Sequence, residues 1–152
     1  MKNEYPVACE YLGRVQEAER RVDSLRQRII NLRMLLTDTS AHFTDVPHSG
    51  ASDLQKHESI QAEIDEMERE IIESEAAARA IRLEVGMTVC RLSDPTGQKV
   101  LIHRFIEHKE WKDVAGEIGY GLTRIYKYRD EMLAELERML TDGGITACSE
   151  KR

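Results

Sequence analysis

Residues 8–36, ACEYLGRVQEAERRVDSLRQRIINLRMLL, place apolar side chains on a seven-residue repeat. In a coiled coil, apolar residues that recur with this spacing meet a partner helix along one seam. The stretch therefore predicts one long helix that pairs with another. The first column of the repeat is Ala8, Val15, Val22, Ile29 and Leu36, and the second is Tyr11, Ala18, Leu25 and Leu32.

A second series with the same spacing runs from Ile60 to Leu92. Residues 37–52, between the two series, are rich in turn formers and lack an apolar period, which predicts a loop. Ser52 or Asp53 is the expected N-cap of the second helix, since a short polar side chain accepts hydrogen bonds from free backbone N–H groups. Residues 1–92 are thus predicted to form a long antiparallel coiled-coil hairpin.

The two predicted helices differ in charge. Residues 7–36 contain six arginines and four acids, whereas residues 53–92 contain five basic residues and ten acids. Exposed ion pairs contribute only about 0–1 kcal/mol each, so the charges select the orientation more than they hold the pair together. A two-helix hairpin buries a thin seam, and we therefore expect a homo-oligomer. The arginines expected to face Glu63–Glu75 are Arg20, Arg21, Arg26, Arg28 and Arg33.

Composition limits the class of protein. The chain has 152 residues, 33% charged, 41% hydrophobic and only 5% aromatic, with a net charge of -6, which is typical of an all-α fold. No run approaches the roughly 20 apolar residues of a membrane helix, and the N-terminal residues lack the apolar core of a signal peptide. We expect a cytoplasmic protein with no membrane partner, whose cysteines Cys9, Cys90 and Cys148 are free thiols.

A separate module is predicted at 93–140, followed by a flexible tail at 141–152. Asp94 is the expected cap of its first helix, with Pro95 in the first turn, where a missing N–H costs nothing. That helix is expected to end near His108, and the next to begin near Trp111. Gly143 and Gly144 form a predicted helix stop.

Residues 111–130, WKDVAGEIGYGLTRIYKYRD, fit a helix-turn-helix motif. Ala115 stands where the helices cross and only a small side chain fits. Gly119 stands at the turn, where a positive φ is needed. The residues expected to pack the two helices together are Val114, Ile118, Tyr120, Ile125 and Tyr128.

This pattern resembles sigma factor region-four-like domains and, more closely, the phage-encoded late-transcription regulators of the ArpU and RinA type. The charged helical N-terminal half, with Pro47–Gly50 in its loop, also looks like that group. The resemblance implies a DNA-binding transcriptional regulator of phage or prophage genes in a bacterial host, with RNA polymerase as a further partner. The residues that carry it are 92–95, Val100, Leu101, Arg104, Phe105, 111–115, 118–120, Ile125, Tyr126, Leu133 and Leu136.

The chain departs from the family pattern in two respects. Gly121 stands at the start of the expected recognition helix, where the family usually has Ser. Glycine is tolerated there but has no side-chain oxygen to cap the helix. Asp130 and Glu131 stand where related sequences are commonly basic. Residues 95–140 hold eight basic and eight acidic residues, so we expect weak binding by a single module.

A helix-turn-helix places the start of its second helix in the major groove of double-stranded DNA. Arg124 is the first candidate for a base contact, because its planar fork can donate two hydrogen bonds to a guanine edge. Tyr126 has two possible roles: it stacks or bonds to phosphate, or it covers the edge of the small core. For each basic residue, the alternative to DNA contact is ordinary solvation on the helix surface. Base-contact candidates are Gly121, Leu122, Thr123, Arg124, Tyr126 and Lys127, and phosphate-contact candidates are Lys127, Lys112, Lys109 and Arg129.

Enzyme and metal functions are not predicted. Among the five histidines, His103 and His108 are five residues apart and so lie about 140° apart around a helix. The sequence contains no recognised spacing of metal ligands, no phosphate-binding glycine loop and no pattern of catalytic residues. No cofactor is expected. Two alternatives stay open. One is an adaptor that binds RNA polymerase or another phage protein. The other is a small terminase-like DNA-packaging subunit, although such subunits generally place the DNA-binding module before the oligomerising helices.

Overall fold

The computed structural model describes residues 4–41 and 50–143, and within these ranges the chain is all-helical. This confirms the predicted all-α class. None of the described helices is long and apolar enough to cross a membrane. The helices are α1 (Pro6–Ala41), α2 (Gly50–Val89), α3 (Pro95–Leu101), α4 (Trp111–Ile118) and α5 (Leu122–Asp142).

Both long helices extend into the loop predicted at 37–52, so that prediction was wrong at both ends. Thr37 is accommodated within α1, where its Oγ1 donates a hydrogen bond to the carbonyl oxygen of Arg33 at 3.0 Å. α2 begins at Gly50, so Ser52 and Asp53 lie in its first turn and do not cap it. Residues 42–49 of the predicted loop lie outside the described residues.

Residues Ala18–Ala78 form one compact unit. Its core is an apolar seam in which Ile29, Ile64 and Met67 are buried. All three occupy the predicted heptad columns, as do the partly buried residues around them. These are Leu32, Leu36, Ile60 and Ile71.

Arginine–glutamate pairs flank this seam, as the opposite charges of the two segments predicted. From Arg21–Glu70 to Arg28–Glu63, and again from Arg26–Glu75 to Arg33–Glu68, the α1 residue number rises while the α2 number falls, which is the pattern that antiparallel helices give. Of the five predicted arginines, only Arg20 has no ion pair among the described residues. The pairs are Arg28–Glu63 at 3.0 Å, Arg33–Glu68 at 2.6 Å, Arg21–Glu70 at 3.3 Å, and Arg26–Glu75.

The described parts of Met1–Glu17 and Arg79–Arg152 form the second compact unit. The division between units thus falls inside the two long helices, whereas the sequence suggested a boundary after Leu92. The physical reason is a shared core, because one end of each long helix buries its apolar residues together with those of α3 and α5. The fully buried members are Ala8, Leu12, Val15, Val85, Val89, Leu101 and Leu136.

Polar contacts hold the ends of the long helices within this second unit. Tyr11 Oη and Thr88 Oγ1 form a buried hydrogen bond at 2.8 Å. Glu137 on α5 accepts hydrogen bonds from the backbone N–H of Ala8 at 2.6 Å and of Val7 at 3.3 Å. It thereby satisfies donors that the first turn of α1 leaves free, at the end of the helix where negative charge is favourable.

α3 begins as predicted. Asp94 Oδ1 accepts a hydrogen bond from the backbone N–H of Thr96 at 2.8 Å, and Pro95 stands in the first turn. Gly97 lets α3 approach α5 closely, because a Cβ at this position would lie 2.3 Å from Met132 Cγ. Unlike the prediction, the helix does not run regularly to His108 but continues as a π-helical turn over Ile102–Ile106.

α5 continues to Asp142, two residues beyond the predicted end of the module. Thr141 Oγ1 donates to the carbonyl oxygen of Glu137 at 2.8 Å, so this residue, predicted to begin the tail, is helical. Gly143 follows as the C-cap. Residues 144–152 of the predicted tail lie outside the described residues.

Candidate nucleic-acid interface

The turn between α4 and α5 is built on glycine. Gly119 has φ 85°, a left-handed conformation that side chains disfavour, and its N–H donates to the carbonyl oxygen of Ala115 at 2.9 Å. Gly121 is extended and precedes α5 without a side-chain cap. Two residues, Tyr120 and Gly121, therefore separate Gly119 from the first residue of α5.

A small core fixes α4 against α5. Val114, Ala115 and Ile125 are buried together with Val100 of α3. The predicted packing residues Ile118, Tyr120 and Tyr128 lie around them, partly buried, as does Trp111. The start of α5 is consequently held at a defined angle by side chains that the sequence pattern had identified.

Most of the predicted contact residues are exposed, one of them on α4 and the others at the turn and in the first turns of α5. Gly121, Leu122, Thr123, Arg124, Lys127 and Lys112 are all exposed. Within the described part of the chain, the side chains of Lys112, Thr123 and Lys127 form no hydrogen bond or ion pair. Their polar groups are therefore available to a partner.

Arg124 is exposed but not free to rotate at random. Its guanidinium carbon lies 4.0 Å from the centroid of the Tyr120 ring and 5.9 Å from that of Tyr128. The two tyrosine rings stack on each other, with centroids 6.0 Å apart. Cation–π contact of this kind restrains the side chain, which lowers the entropy lost when the guanidinium binds a ligand.

Arg129 and Tyr126 turn away from the exposed surface toward Trp111. The Arg129 guanidinium carbon lies 4.8 Å from the Tyr126 ring centroid and 5.5 Å from that of Trp111, and Nε donates to Asp130 at 2.8 Å. Tyr126 packs edge-on against Trp111. Tyr126 thus contacts Trp111, which borders the small core, and a contact between Tyr126 and DNA stays a prediction. Arg129 is engaged inside the module, and in turn offsets the charge of Asp130.

Lys109 is also engaged. Its Nζ lies 2.7 Å from a carboxylate oxygen of Glu107 and 2.7 Å from one of Glu117. These hydrogen bonds raise the pKa of Lys109, and the contacts with Lys109 and His103 lower the pKa of Glu107 to about 2. As a candidate for phosphate contact, Lys109 is therefore weaker than Lys112 or Lys127.

The same cluster contains ligand atoms that sequence reasoning missed. His103, Glu107 and Glu117 bring one nitrogen and two carboxylate oxygens within 4.8 Å of one another. Only the pairing of His103 with His108 was considered from the sequence. The usable signal was His103 and Glu107, four residues apart, because this spacing places side chains on the same side of a helix.

An apolar groove lies elsewhere in the same compact unit. It runs between one face of α2 and the π-helical turn and has a volume of about 640 Å³. Leu83 and Met87, two of its lining residues, are 65% and 57% exposed, so the groove presents two large apolar side chains at the surface. The other lining residues are Arg79, Arg82, Gly86, Cys90, Ile102 and Ile106.

No family model, curated protein or solved structure matches this chain. The resemblance to phage late-transcription regulators therefore stays a prediction, and any function rests on the geometry of the residues themselves.

Proposed function

We propose that this protein binds double-stranded DNA through α4 and α5 and regulates transcription of phage or prophage genes. In this proposal α4 and α5 are a helix-turn-helix, and α1 and α2 are an antiparallel coiled-coil hairpin that mediates self-association. The observation that carries the proposal is the exposed start of α5, where Arg124 is restrained over Tyr120 and Lys127, three residues further on, has no ion pair among the described residues. Lys112 on α4 is likewise exposed and without an ion pair there.

The roles of the three cations follow from their surroundings. Arg124 reads a base edge, because its fork is held in place and donates two hydrogen bonds in one plane. Lys127, on the same helix, and Lys112, on α4, contact phosphates, for which a flexible point charge is sufficient. Thr123 is a further hydrogen-bonding residue at the start of α5.

The proposal accounts for the neutral balance of the module. Lys109 and Arg129 are compensated by acids within the module, at Glu107, Glu117 and Asp130. The cations left for DNA are few, so a single module binds weakly and with a shallow salt dependence. Two modules joined by self-association would bind more tightly through effective concentration.

The test is a mobility shift with double-stranded DNA using the double variant Arg124→Ala/Lys127→Ala. We expect loss of the shifted band from a protein that stays folded, with a fall in melting temperature no larger than the lost cation–π contacts of the exposed Arg124 with Tyr120 and Tyr128 account for. The matched control is Lys99→Ala/Arg138→Ala, which removes the same two charges from exposed positions outside the proposed surface and should retain binding. Equal binding by the folded double variant and wild type would refute the assignment.

A second function, protein binding, is supported by the apolar groove beside α2. Exposed Leu83 and Met87 lose unfavourable contact with water when a partner covers them. The groove accordingly suits a protein-interaction adaptor, either alone or in addition to DNA binding. Pull-down of purified bacterial RNA polymerase by wild type, and not by a Leu83→Glu/Met87→Glu variant, would favour that alternative.

A further inference from the structure

The cluster around Lys109 gathers three metal-ligand atoms from two parts of the chain. His103 belongs to the π-helical turn, Glu107 follows it directly, and Glu117 lies on α4. His103 Nδ1 is 2.6 Å from Oε2 of Glu107 and 3.6 Å from Oε2 of Glu117. A cation among these atoms would meet one imidazole nitrogen and two carboxylate oxygens.

A positive charge already occupies this position. Lys109 Nζ lies 2.7 Å from each carboxylate and 3.3 Å from His103 Nδ1. The ammonium is carried by a flexible four-carbon stem, and the side chain is 30% exposed, so it can leave toward solvent without moving the backbone. The three ligand atoms would then remain where they converge, held by the π-helical turn and α4.

We propose that His103, Glu107 and Glu117 bind a divalent transition-metal cation, with Zn²⁺ as the test ion, in exchange for the Lys109 ammonium. Zinc takes nitrogen and carboxylate oxygen ligands at about 2.0–2.2 Å, and three protein ligands leave a fourth position for water. Ligand atoms at that distance in tetrahedral geometry lie roughly 3.4 Å apart. The spacings of His103 Nδ1 from the two carboxylates lie on either side of this value.

The donor set also discriminates among cations. Mg²⁺ requires near-octahedral oxygen coordination and retains its water, whereas imidazole nitrogen suits zinc and its neighbours. Two carboxylates balance the two charges of the metal ion once the Lys109 ammonium has left.

The test is calorimetric titration of Zn²⁺ into the full-length, chelator-treated protein. We expect one ion per chain for wild type, and affinity reduced by at least about tenfold in His103→Ala and in Glu117→Gln, since loss of even an outer-shell contact costs that much. Lys109→Met keeps the stem but removes the competing ammonium, and should bind Zn²⁺ more tightly than wild type. The matched control is Glu110→Gln, a neighbouring exposed acid outside the cluster.

Two further readouts separate this cluster from the thiols and from unspecific acids. Bound Co²⁺ should give the absorption spectrum of nitrogen and oxygen ligands without thiolate bands. Mg²⁺ should produce no heat. Absence of Zn²⁺ binding to wild type, unchanged affinity in both ligand variants, or no gain in Lys109→Met would each overturn the proposal, and none of these outcomes depends on DNA binding.

Discussion

At the residue scale, Arg124, Lys127 and Arg129 illustrate what the sequence pattern could and could not distinguish. All three were predicted to face DNA because they lie in the first turns of one helix. The structure leaves Lys127 exposed, restrains Arg124 over Tyr120, and engages Arg129 with Tyr126, Trp111 and Asp130. The sequence could not separate Arg129 from the other two, because the surroundings of Arg129 depend on the position of Trp111 on another helix.

These surroundings predict opposite phenotypes for Lys127→Ala and Arg129→Ala. Lys127→Ala should weaken DNA binding and reduce the slope of log affinity against log salt by about one, with no change in melting temperature. Arg129→Ala should lower the melting temperature, because it removes cation–π contacts with two aromatic rings. Salt titrations and thermal unfolding of both variants check this, and a Lys127→Ala slope equal to that of wild type would contradict the proposed phosphate contact.

Glu107 should leave a signature in acid unfolding. Its pKa is lowered from 4.5 to about 2 in the folded chain, so its contribution to stability is present above about pH 4.5 and is lost as pH falls toward 2. Wild type should therefore be more stable than Glu107→Gln at pH 6, and the difference should disappear as pH approaches 2. Urea unfolding of both proteins between pH 6 and pH 2 measures this difference in the free energy of unfolding. A difference that persists unchanged at pH 2 would show that the ionised carboxylate is not its source.

At the element scale, strong periodic patterns predicted helices better than their ends. The heptad columns correctly identified the seam of Ala18–Ala78, and Asp94 capped α3 as expected. The loop boundaries failed because Thr37 and Asp53, which are common in turns, are tolerated in helices. The π-helical turn at Ile102–Ile106 has no sequence signature of comparable strength, and with it the cluster of His103, Glu107 and Glu117 escaped prediction.

Two glycines of this region should respond oppositely to alanine. Gly119→Ala should destabilise the protein by about 1 kcal/mol or more, because φ is 85° and a Cβ disfavours that conformation. Gly116→Ala lies inside α4 with open space around the added methyl, and should stabilise by up to about 1 kcal/mol. Chemical denaturation of both variants measures this, and equal effects would contradict the assigned turn.

At the scale of the whole molecule, the apolar groove beside α2 is the surface best suited to a protein partner. Its lining was not foreseen, because residues of α2 meet Ile102 and Ile106 only after the chain has folded. The heptad seam accounts for one face of α2 and leaves Leu83 and Met87 outside it. A second copy of this chain is the alternative occupant to RNA polymerase, and self-association through this groove would then supply the oligomer that the proposed function invokes.

Sedimentation equilibrium provides the corresponding test. Wild type should sediment as an oligomer, and the Leu83→Glu/Met87→Glu variant as a monomer. The two carboxylates added to each chain would have to be buried unpaired in the interface. Leu54→Glu changes another exposed leucine of α2, outside the groove, and should remain oligomeric. An oligomer of unchanged mass in the groove variant would exclude this surface from self-association.

The central claim, sequence-specific DNA binding by the start of α5, is tested most directly by selection from a random double-stranded DNA library at low and moderate salt. We predict that wild type enriches a defined motif and that Arg124→Ala loses the preference at one or two positions while retaining its fold. Enrichment of no sequence at either salt, or the same motif with Arg124→Ala, would contradict the account.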